Sequence, residues 1–266
     1  MFRRGVADYS GPMWRVLRMA ILLLVLVLVG GGTVLDRWRT TDWDSPLRVG
    51  IFPINADGRR VTSDYVDALG IERFADIEQF FHREARSFGI AIEQPVDLTL
   101  YPAIDEEPPL IEPGTGPLGT MLWSLKLRWY NWRIASDSGE QIRVYVLYHD
   151  PTITQSVPHS LGLQKGLVGV VYAYAARAMD GQNNIVIAHE LLHTLGATDK
   201  YDPDTNLPTF PAGHGDPQAE PLYPQDAAEL MAGRRLLSED EAEMPDSLEG
   251  VVIGETTAAE INWIER

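Results

Sequence analysis

The chain contains no cysteine, and this absence excludes several kinds of structure and regulation. No disulfide can form, no metal ion can be held by thiolates, and no propeptide cysteine can block a metal site. Any metal ion must therefore be bound by nitrogen and oxygen ligands. The absence of cysteine does not indicate a cellular compartment, because cysteine-free chains occur in both oxidising and reducing compartments.

Basic residues are scarce as well. Lys and Arg number 22 against 38 Asp and Glu, which gives a net charge of −16. Residues 1–40 carry +4 of this balance, so that −20 remains for residues 41–266. A domain of that charge repels nucleic acid and anionic lipid headgroups, and we expect no nucleic-acid partner. The sequence does not indicate the oligomeric state.

One long apolar run lies near the N-terminus. Residues 19–35 contain no charged residue, and Arg residues precede the run in 1–18. Its length is close to the ~20 residues that a helix needs to cross a bilayer. We predict a cytoplasmic basic segment (1–18), a transmembrane signal anchor (19–35) that contacts the lipid bilayer, a linker (36–46) and an extracytoplasmic domain (47–266). The alternative is a cleaved signal peptide and a secreted domain, for which the glycines at 30–32 offer small residues.

The most informative motif, HELLH, occupies residues 189–193. Residues four apart lie on one face of a helix, so His189 and His193 can bind one metal ion while Glu190 lies beside a water on that ion. The neighbouring apolar residues predict a helix with a buried stripe: Ile185, Ala188, Leu192 and Leu195. Asn183 or Asn184 is predicted to cap this helix, and Gly196 to end it in the left-handed conformation.

A chain reversal at Gly196 would bring Asp199 back toward the two histidines, which makes Asp199 the candidate third ligand. Asp202, His214 and Glu229 are alternative ligands. Two histidines and one carboxylate suit zinc and leave its fourth tetrahedral position open.

At these residues the chain resembles the metzincin clan of zinc metallopeptidases. The match to HExxHxxGxxH runs through His189, Glu190, His193, Gly196 and Asp199, as in the variant of the clan in which Asp is the third ligand. The segment 229–233 (ELMAG) resembles the clan's Met-turn, with Met231 beneath the metal. The resemblance implies an α/β (α+β) fold with a twisted mixed sheet and an active-site helix.

The resemblance also implies the function of a membrane-anchored zinc-dependent endopeptidase with one catalytic zinc ion and a peptide or protein substrate. In that mechanism a zinc-activated water attacks the peptide bond and Glu190 is the general base. The alternatives are a catalytically silent zinc-containing domain that binds peptides or acts as a tethered adaptor, and a hydrolase of a non-peptide amide. Tyr201 and Tyr223 are candidates to stabilise an oxyanion.

The periodicity of apolar residues predicts strands at 48–54, 96–101, 142–148 and 167–175, and helices at 71–88 and 118–132. A stripe of large apolar residues in the second helix is predicted to pack in the core: Leu118, Leu122, Leu125, Trp129 and Trp132. A short terminal helix is predicted to open at a capping box formed by Thr257 and Glu260.

In metzincins the strand before the active-site helix lies along the cleft and pairs with extended substrate. The resemblance therefore makes five residues substrate-cleft candidates, with an ordinary internal strand as the alternative: Val170, Val171, Tyr172, Ala173 and Tyr174. Further along, Asp202, Asp204 and Asn206 alternate as calcium ligands do, but Leu207 stands where an EF-hand loop needs Gly. A structural calcium ion at these residues is a further expectation.

Overall fold

The computed structural model describes residues 14, 16–20, 40–111, 114–135, 138–154, 160–163 and 167–265. The chain divides into two compact units, Met1–Arg39 and Thr40–Arg266. Within the described residues, no helix has both the length and the apolar character needed to cross a bilayer. The predicted anchor, 19–35, lies outside these residues except for its first two positions.

A five-stranded mixed sheet forms the centre of the second unit. Its strands are β1 (Leu47–Asn55), β2 (Val96–Leu100), β3 (Ile142–His149), β4 (Leu161–Leu163) and β5 (Val168–Tyr174). Their order is β2-β1-β3-β5-β4. Four strands are parallel, and the edge strand β4 runs antiparallel to β5. The predicted mixed α/β sheet is confirmed.

In the described part of the second unit, five helices accompany the sheet: α1 (Arg60–Asp67), α2 (Ala75–Ser87), α3 (Pro117–Ala135), α4 (Asp180–Leu195) and α5 (Glu255–Glu260). The predicted helix 71–88 begins as a 3-10 turn, Ile71–Phe74, and continues as α2. Four short strands follow in the C-terminal region: β6 (Ala228–Glu229), β7 (Arg235–Leu236), β8 (Ala242–Glu243) and β9 (Val251–Val252). They pair as β6 with β9 and β7 with β8.

Both faces of the sheet are buried, which explains why β1 reads as a nearly continuous apolar run. Successive side chains of a strand point to opposite faces. Val49 and Ile51 join the larger core, which includes residues of α2 and α4. Phe52 and Ile54 join a smaller core with residues of α3. The sheet thus lies between α4, which carries the HELLH motif, and α3.

The predicted core-facing side of α3 is wrong. Trp123, Leu127 and Tyr130 are the residues of α3 that are buried against the sheet. All five members of the stripe that was predicted to be buried are exposed: Leu118, Leu122, Leu125, Trp129 and Trp132. The helix is apolar on two opposite faces, and periodicity alone cannot tell which face packs inward.

The capping box predicted for the terminal helix does not form. Helix α5 begins at Glu255 after Gly254. The Thr257 hydroxyl instead donates a hydrogen bond to Glu229 Oε1 at 2.6 Å, and Glu260 accepts hydrogen bonds from Thr198 and Lys200. Both residues connect α5 to the region around the HELLH motif.

Candidate metal centre

The helix α4 places its two histidines one turn apart on the same face. Ile185, Ala188, Leu192 and Leu195 are buried, as their spacing predicts. The helix ends at Gly196, whose φ of 107° lies in the left-handed region as expected. The predicted asparagine cap is wrong, because α4 begins at Asp180 and the Asn183 side chain bonds Tyr174 N and O of β5 instead.

The chain reversal after Gly196 brings Asp199 to both histidines. Asp199 Oδ1 lies 3.1 Å from His189 Nε2 and 3.1 Å from His193 Nε2. Tetrahedral zinc with bonds of about 2.05 Å separates its ligand atoms by about 3.3 Å. Asp199 Oδ1 therefore already lies at nearly the spacing of zinc ligands from each of the two histidine nitrogens.

Each histidine ring is oriented by a backbone carbonyl. His189 Nδ1 lies 2.9 Å from Leu230 O, and His193 Nδ1 lies 2.9 Å from Ala197 O. A carbonyl oxygen can only accept a hydrogen bond, so both Nδ1 atoms carry the hydrogen, and both Nε2 atoms are directed toward Asp199. Carbonyl partners of this kind fix the tautomer and orientation of metal-binding histidines.

The site is electrostatically prepared for a cation. Burial raises the pKa of Asp199, but the hydrogen bonds from His189 and His193 lower it more, so that this pKa lies well below its ordinary value. Burial lowers the pKa of His193, and this is outweighed by the hydrogen bond to Asp199 and the charge of Glu190, so that the net shift is upward. A metal ion bound between Asp199 and the histidines would supply the positive charge that a protonated His193 supplies in its absence.

Glu190 is buried on α4 next to the two histidines. Its ligand-type oxygen and the ring nitrogens of His189 and His193 lie within 4.8 Å of one another, and these three residues can hold a metal ion. Tyr201 lies close to the same charges. Burial raises the pKa of Tyr201, and the charges of Asp199 and Glu190 raise it further, so its hydroxyl stays protonated as a donor.

The segment 229–233 forms a buried turn beneath α4. Glu229 O accepts hydrogen bonds from Ala232 N and Gly233 N, and Met231 is fully buried. Leu230 O is the acceptor for His189 Nδ1, as described above. The Leu230 contact places this turn beside His189, and the equivalence of the turn to the Met-turn stays a prediction.

Glu229 is engaged within that turn and does not face outward as a ligand would. Its carboxylate accepts hydrogen bonds from Ala232 N at 3.0 Å, Gly254 N at 3.3 Å and the Thr257 hydroxyl. Burial raises the pKa of Glu229 despite these three donors and the nearby charge of Lys200. Its contacts give Glu229 a structural role in joining the turn to α5.

Sequence reasoning missed a pair of residues that holds the Asp199 loop. Lys200 Nζ donates hydrogen bonds of 2.7 Å to Thr198 O, Thr198 Oγ1 and Glu260 Oε2. Thr198 N and Oγ1 also bond the Glu260 carboxylate. On the other side, Lys200 N donates to Met231 O at 2.9 Å. Asp199 thus lies between two anchored residues. In the sequence Lys200 is an ordinary lysine, so neither its burial nor its partner could be predicted there.

The substrate-cleft candidates lie on β5, which is an internal strand. Residues Val168–Tyr174 pair with β3, and the first three of them also pair with β4. Farther along, Tyr172 N bonds Ser160 Oγ at 3.1 Å, and Tyr174 N and O bond Asn183. Val171 and Ala173 are buried in the larger core. The alternative of an ordinary internal strand agrees with this pairing, and a substrate contact at 170–174 stays a prediction.

Asp202 forms a turn within its own loop. Its Oδ1 accepts hydrogen bonds from Asp204 N at 2.9 Å and Thr205 N at 3.0 Å, and these bonds lower the pKa of Asp202. No group of three histidine or acidic ligands is found at this loop among the residues that the structure describes. The loop therefore gives no support to the alternative zinc ligand Asp202 or to the expected calcium ion.

His214 is buried rather than part of the open surface. Its ring packs between Phe210 and Tyr223, with centroid distances of 5.1 and 6.0 Å. Burial lowers the pKa of His214. The residue lines a cavity of about 460 Å³ together with Asp216 and residues at the start of α5. No contact with His189 or His193 is found for it in the described part of the chain.

Comparison with known proteins gives only distant likeness. No protein-family model matches the chain, and no curated protein matches it. Among solved structures, wild-type OgpA from Akkermansia muciniphila is similar in two crystal forms. The two structures share 14% and 12% sequence identity with this chain, at TM-scores of 0.35 and 0.36 respectively. Each match covers 80% of this chain and 59% of the OgpA chain. The chain thus spans about three-fifths of the length of those structures, and no family assignment follows.

Proposed function

We propose that the chain is a zinc-dependent endopeptidase of metzincin type, held at a membrane by residues 19–35 with its domain on the extracytoplasmic side. One observation supports the zinc site above all others. Asp199 Oδ1 lies 3.1 Å from both His189 Nε2 and His193 Nε2, while both Nδ1 atoms are bonded to backbone carbonyls.

The donor set fits zinc. Imidazole and carboxylate ligands suit a divalent ion of borderline softness, and two histidines with one carboxylate are typical of catalytic sites. Three protein ligands leave a fourth position for water or substrate. When bound, zinc supplies Lewis-acid activation of a water and of the peptide carbonyl.

The other steps belong to the chain. Glu190, buried beside the ligands, accepts the proton of the attacking water at its carboxylate and delivers it to the leaving amine. Tyr201, kept protonated by burial and by its acidic neighbours, donates a hydrogen bond to the developing oxyanion. The Lys200–Glu260 pair keeps Asp199 in place throughout.

The test is cleavage of a diverse peptide library by the zinc-loaded full chain, with Glu190→Gln in parallel. The variant should bind zinc as the wild type does and lose about 10²–10⁴-fold in turnover, because it lacks the general base. Glu241→Gln is the matched control, since Glu241 is exposed and far from α4 in sequence. It should cleave as the wild type does.

The outcomes separate the alternatives. Zinc binding without cleavage by any of the three proteins would favour a catalytically silent zinc domain. Equal turnover by Glu190→Gln and the wild type would refute the assignment of Glu190. Cleavage by the wild type and the control alone would also give the subsite preference.

A further inference from the structure

The helix α3 has an outer face that the described residues of the second unit leave uncovered. Its inner face packs on the sheet through Trp123, Leu127 and Tyr130. Six large apolar side chains occupy the opposite face, and Leu118 and Trp132 are 74% and 68% exposed. The complete set is Leu118, Met121, Leu122, Leu125, Trp129 and Trp132.

These six side chains form one continuous stripe. At about 100° per residue, their positions fall within an arc of about 100° on the helix surface. Soluble proteins commonly expose single apolar residues, but a continuous stripe of this kind marks a binding surface.

Basic residues border this stripe on both sides. On the same helical projection, Arg128 lies along one edge, and Lys126 and Arg133 lie along the other. Arg133 is paired with Glu106 and lies over the Trp129 ring at 4.9 Å. Lys126 and Arg128 make no ion pair among the described residues. The 19 residues of α3 include no acidic residue.

This local charge is opposite to that of the rest of the domain. Residues 41–266 carry −20 in total, so the basic border of α3 is a local exception rather than part of a general trend. Long basic side chains beside an apolar stripe with tryptophan are typical of helices that lie in the headgroup region, where the aliphatic stems follow the apolar surface and the charges reach phosphate.

We propose that the outer face of α3 docks on the surface of an anionic lipid bilayer. The six apolar side chains enter the boundary between headgroups and acyl chains, and Lys126 and Arg128 contact lipid phosphates. The predicted anchor supplies a bilayer within reach, because the linker 36–46 spans at most ~40 Å when fully extended. Docking does not depend on the proposed zinc chemistry. The net charge of the domain opposes docking, so the attraction comes from the local cations and the apolar stripe.

The absence of cysteine allows a direct test on the full chain in lipid nanodiscs. Leu122→Cys carries an environment-sensitive fluorophore within the stripe, and Val61→Cys carries it at an exposed apolar position on α1. In nanodiscs that contain phosphatidylglycerol, the label at 122 should emit at shorter wavelength and be quenched by aqueous iodide several-fold less than the label at 61. With phosphatidylcholine alone, the difference should shrink.

Two results would overturn the proposal. One is equal quenching of the two labels in anionic nanodiscs. The other is equal protection of position 122 in nanodiscs with and without phosphatidylglycerol, which would mean that a covering other than anionic lipid, such as a second copy of the chain, shields the stripe.

A charge variant tests the lipid contact separately. Lys126→Glu with Arg128→Glu, in the Leu122→Cys background, should shift the equilibrium away from the docked state by about fivefold for each cation removed. Unchanged protection in this variant would contradict the role of the two cations. Peptide cleavage in solution should be the same with and without the variant, so that failure here is distinguishable from failure of the proposed peptidase.

Discussion

Lys200 Nζ lies 2.7 Å from Glu260 Oε2, although the two residues are 60 positions apart in the chain. Lys200 is buried, and its ammonium group is satisfied by two further bonds to Thr198. The pair connects the loop after α4 to the terminal helix α5. Because Asp199 lies directly between Thr198 and Lys200, this contact determines where the candidate third ligand is held.

Glu260→Gln should weaken zinc binding without altering any ligand. The loss of the carboxylate charge loosens the loop that presents Asp199, and changes in the residues that orient metal ligands typically cost 10–100-fold in affinity. Competition with a fluorescent chelator measures this. Glu255→Gln on the same helix is the control, because Glu255 is exposed. Equal affinity for both variants would show that the pair does not position Asp199.

The same pair predicts a dependence of stability on pH. Burial raises the pKa of Glu260, but the hydrogen bonds from Lys200 and Thr198 outweigh this effect. The pKa of Glu260 therefore lies below its ordinary value of 4.5. A carboxyl whose pKa is depressed by folding stabilises the protein above its unfolded pKa, and the contribution is lost as pH falls through the folded pKa.

The difference in free energy of unfolding between the wild type and Glu260→Gln should therefore be largest near neutral pH and shrink as pH falls below about 4.5. Urea denaturation in the presence of a chelator measures it without a contribution from metal. A difference that grows toward acid pH would contradict the assigned direction of the shift.

The central sheet and α4 were predictable because each has a local signal. Strand β1 reads as an unbroken apolar run, and α4 combines a 3.6-residue stripe with Gly196 at its end. Strand β4 was missed because three residues are too few to show alternation. In α3, the outer face is as apolar as the inner one, so the periodicity was right and the predicted orientation was wrong.

The sequence predicts that the residues of the candidate site lie close together, but it does not predict the residues that hold them in place. His189, Glu190 and His193 share one helical segment, and Asp199 follows one chain reversal later. Lys200 and Glu260, by contrast, meet only through the tertiary fold. The sequence predicts Glu260 as part of a capping box, in which its carboxylate would accept a hydrogen bond from a backbone N–H of its own helix. In the structure the carboxylate accepts one from Thr198 N instead, which is distant in the chain.

Asp199→Asn should lower zinc affinity by roughly 10²-fold or more, because it removes the anionic ligand atom that both Nε2 atoms approach. Asp204→Asn is the matched control. Asp204 is exposed in the adjacent turn and should leave affinity unchanged. Isothermal titration with zinc measures both. Wild-type affinity in Asp199→Asn would mean that another group completes the site.

Gly196→Ala should disturb both stability and metal binding. At a φ of 107°, a Cβ is strained, and the left-handed conformation costs roughly 1–2 kcal/mol in a residue other than glycine. If the chain relieves this strain by a different reversal, Ala197 O moves from His193 Nδ1 and Asp199 moves from both histidines. The variant should therefore bind zinc more weakly than its loss of stability alone explains.

Gly250→Ala provides the comparison for that variant, because a Cβ there would meet only Pro245 Cβ at 3.6 Å, an ordinary contact. Thermal unfolding with and without zinc measures both variants. Gly250→Ala should gain as much stability from zinc as the wild type does, and Gly196→Ala should gain less. Equal stabilisation of the two variants by zinc would mean that the reversal at Gly196 does not control the position of Asp199.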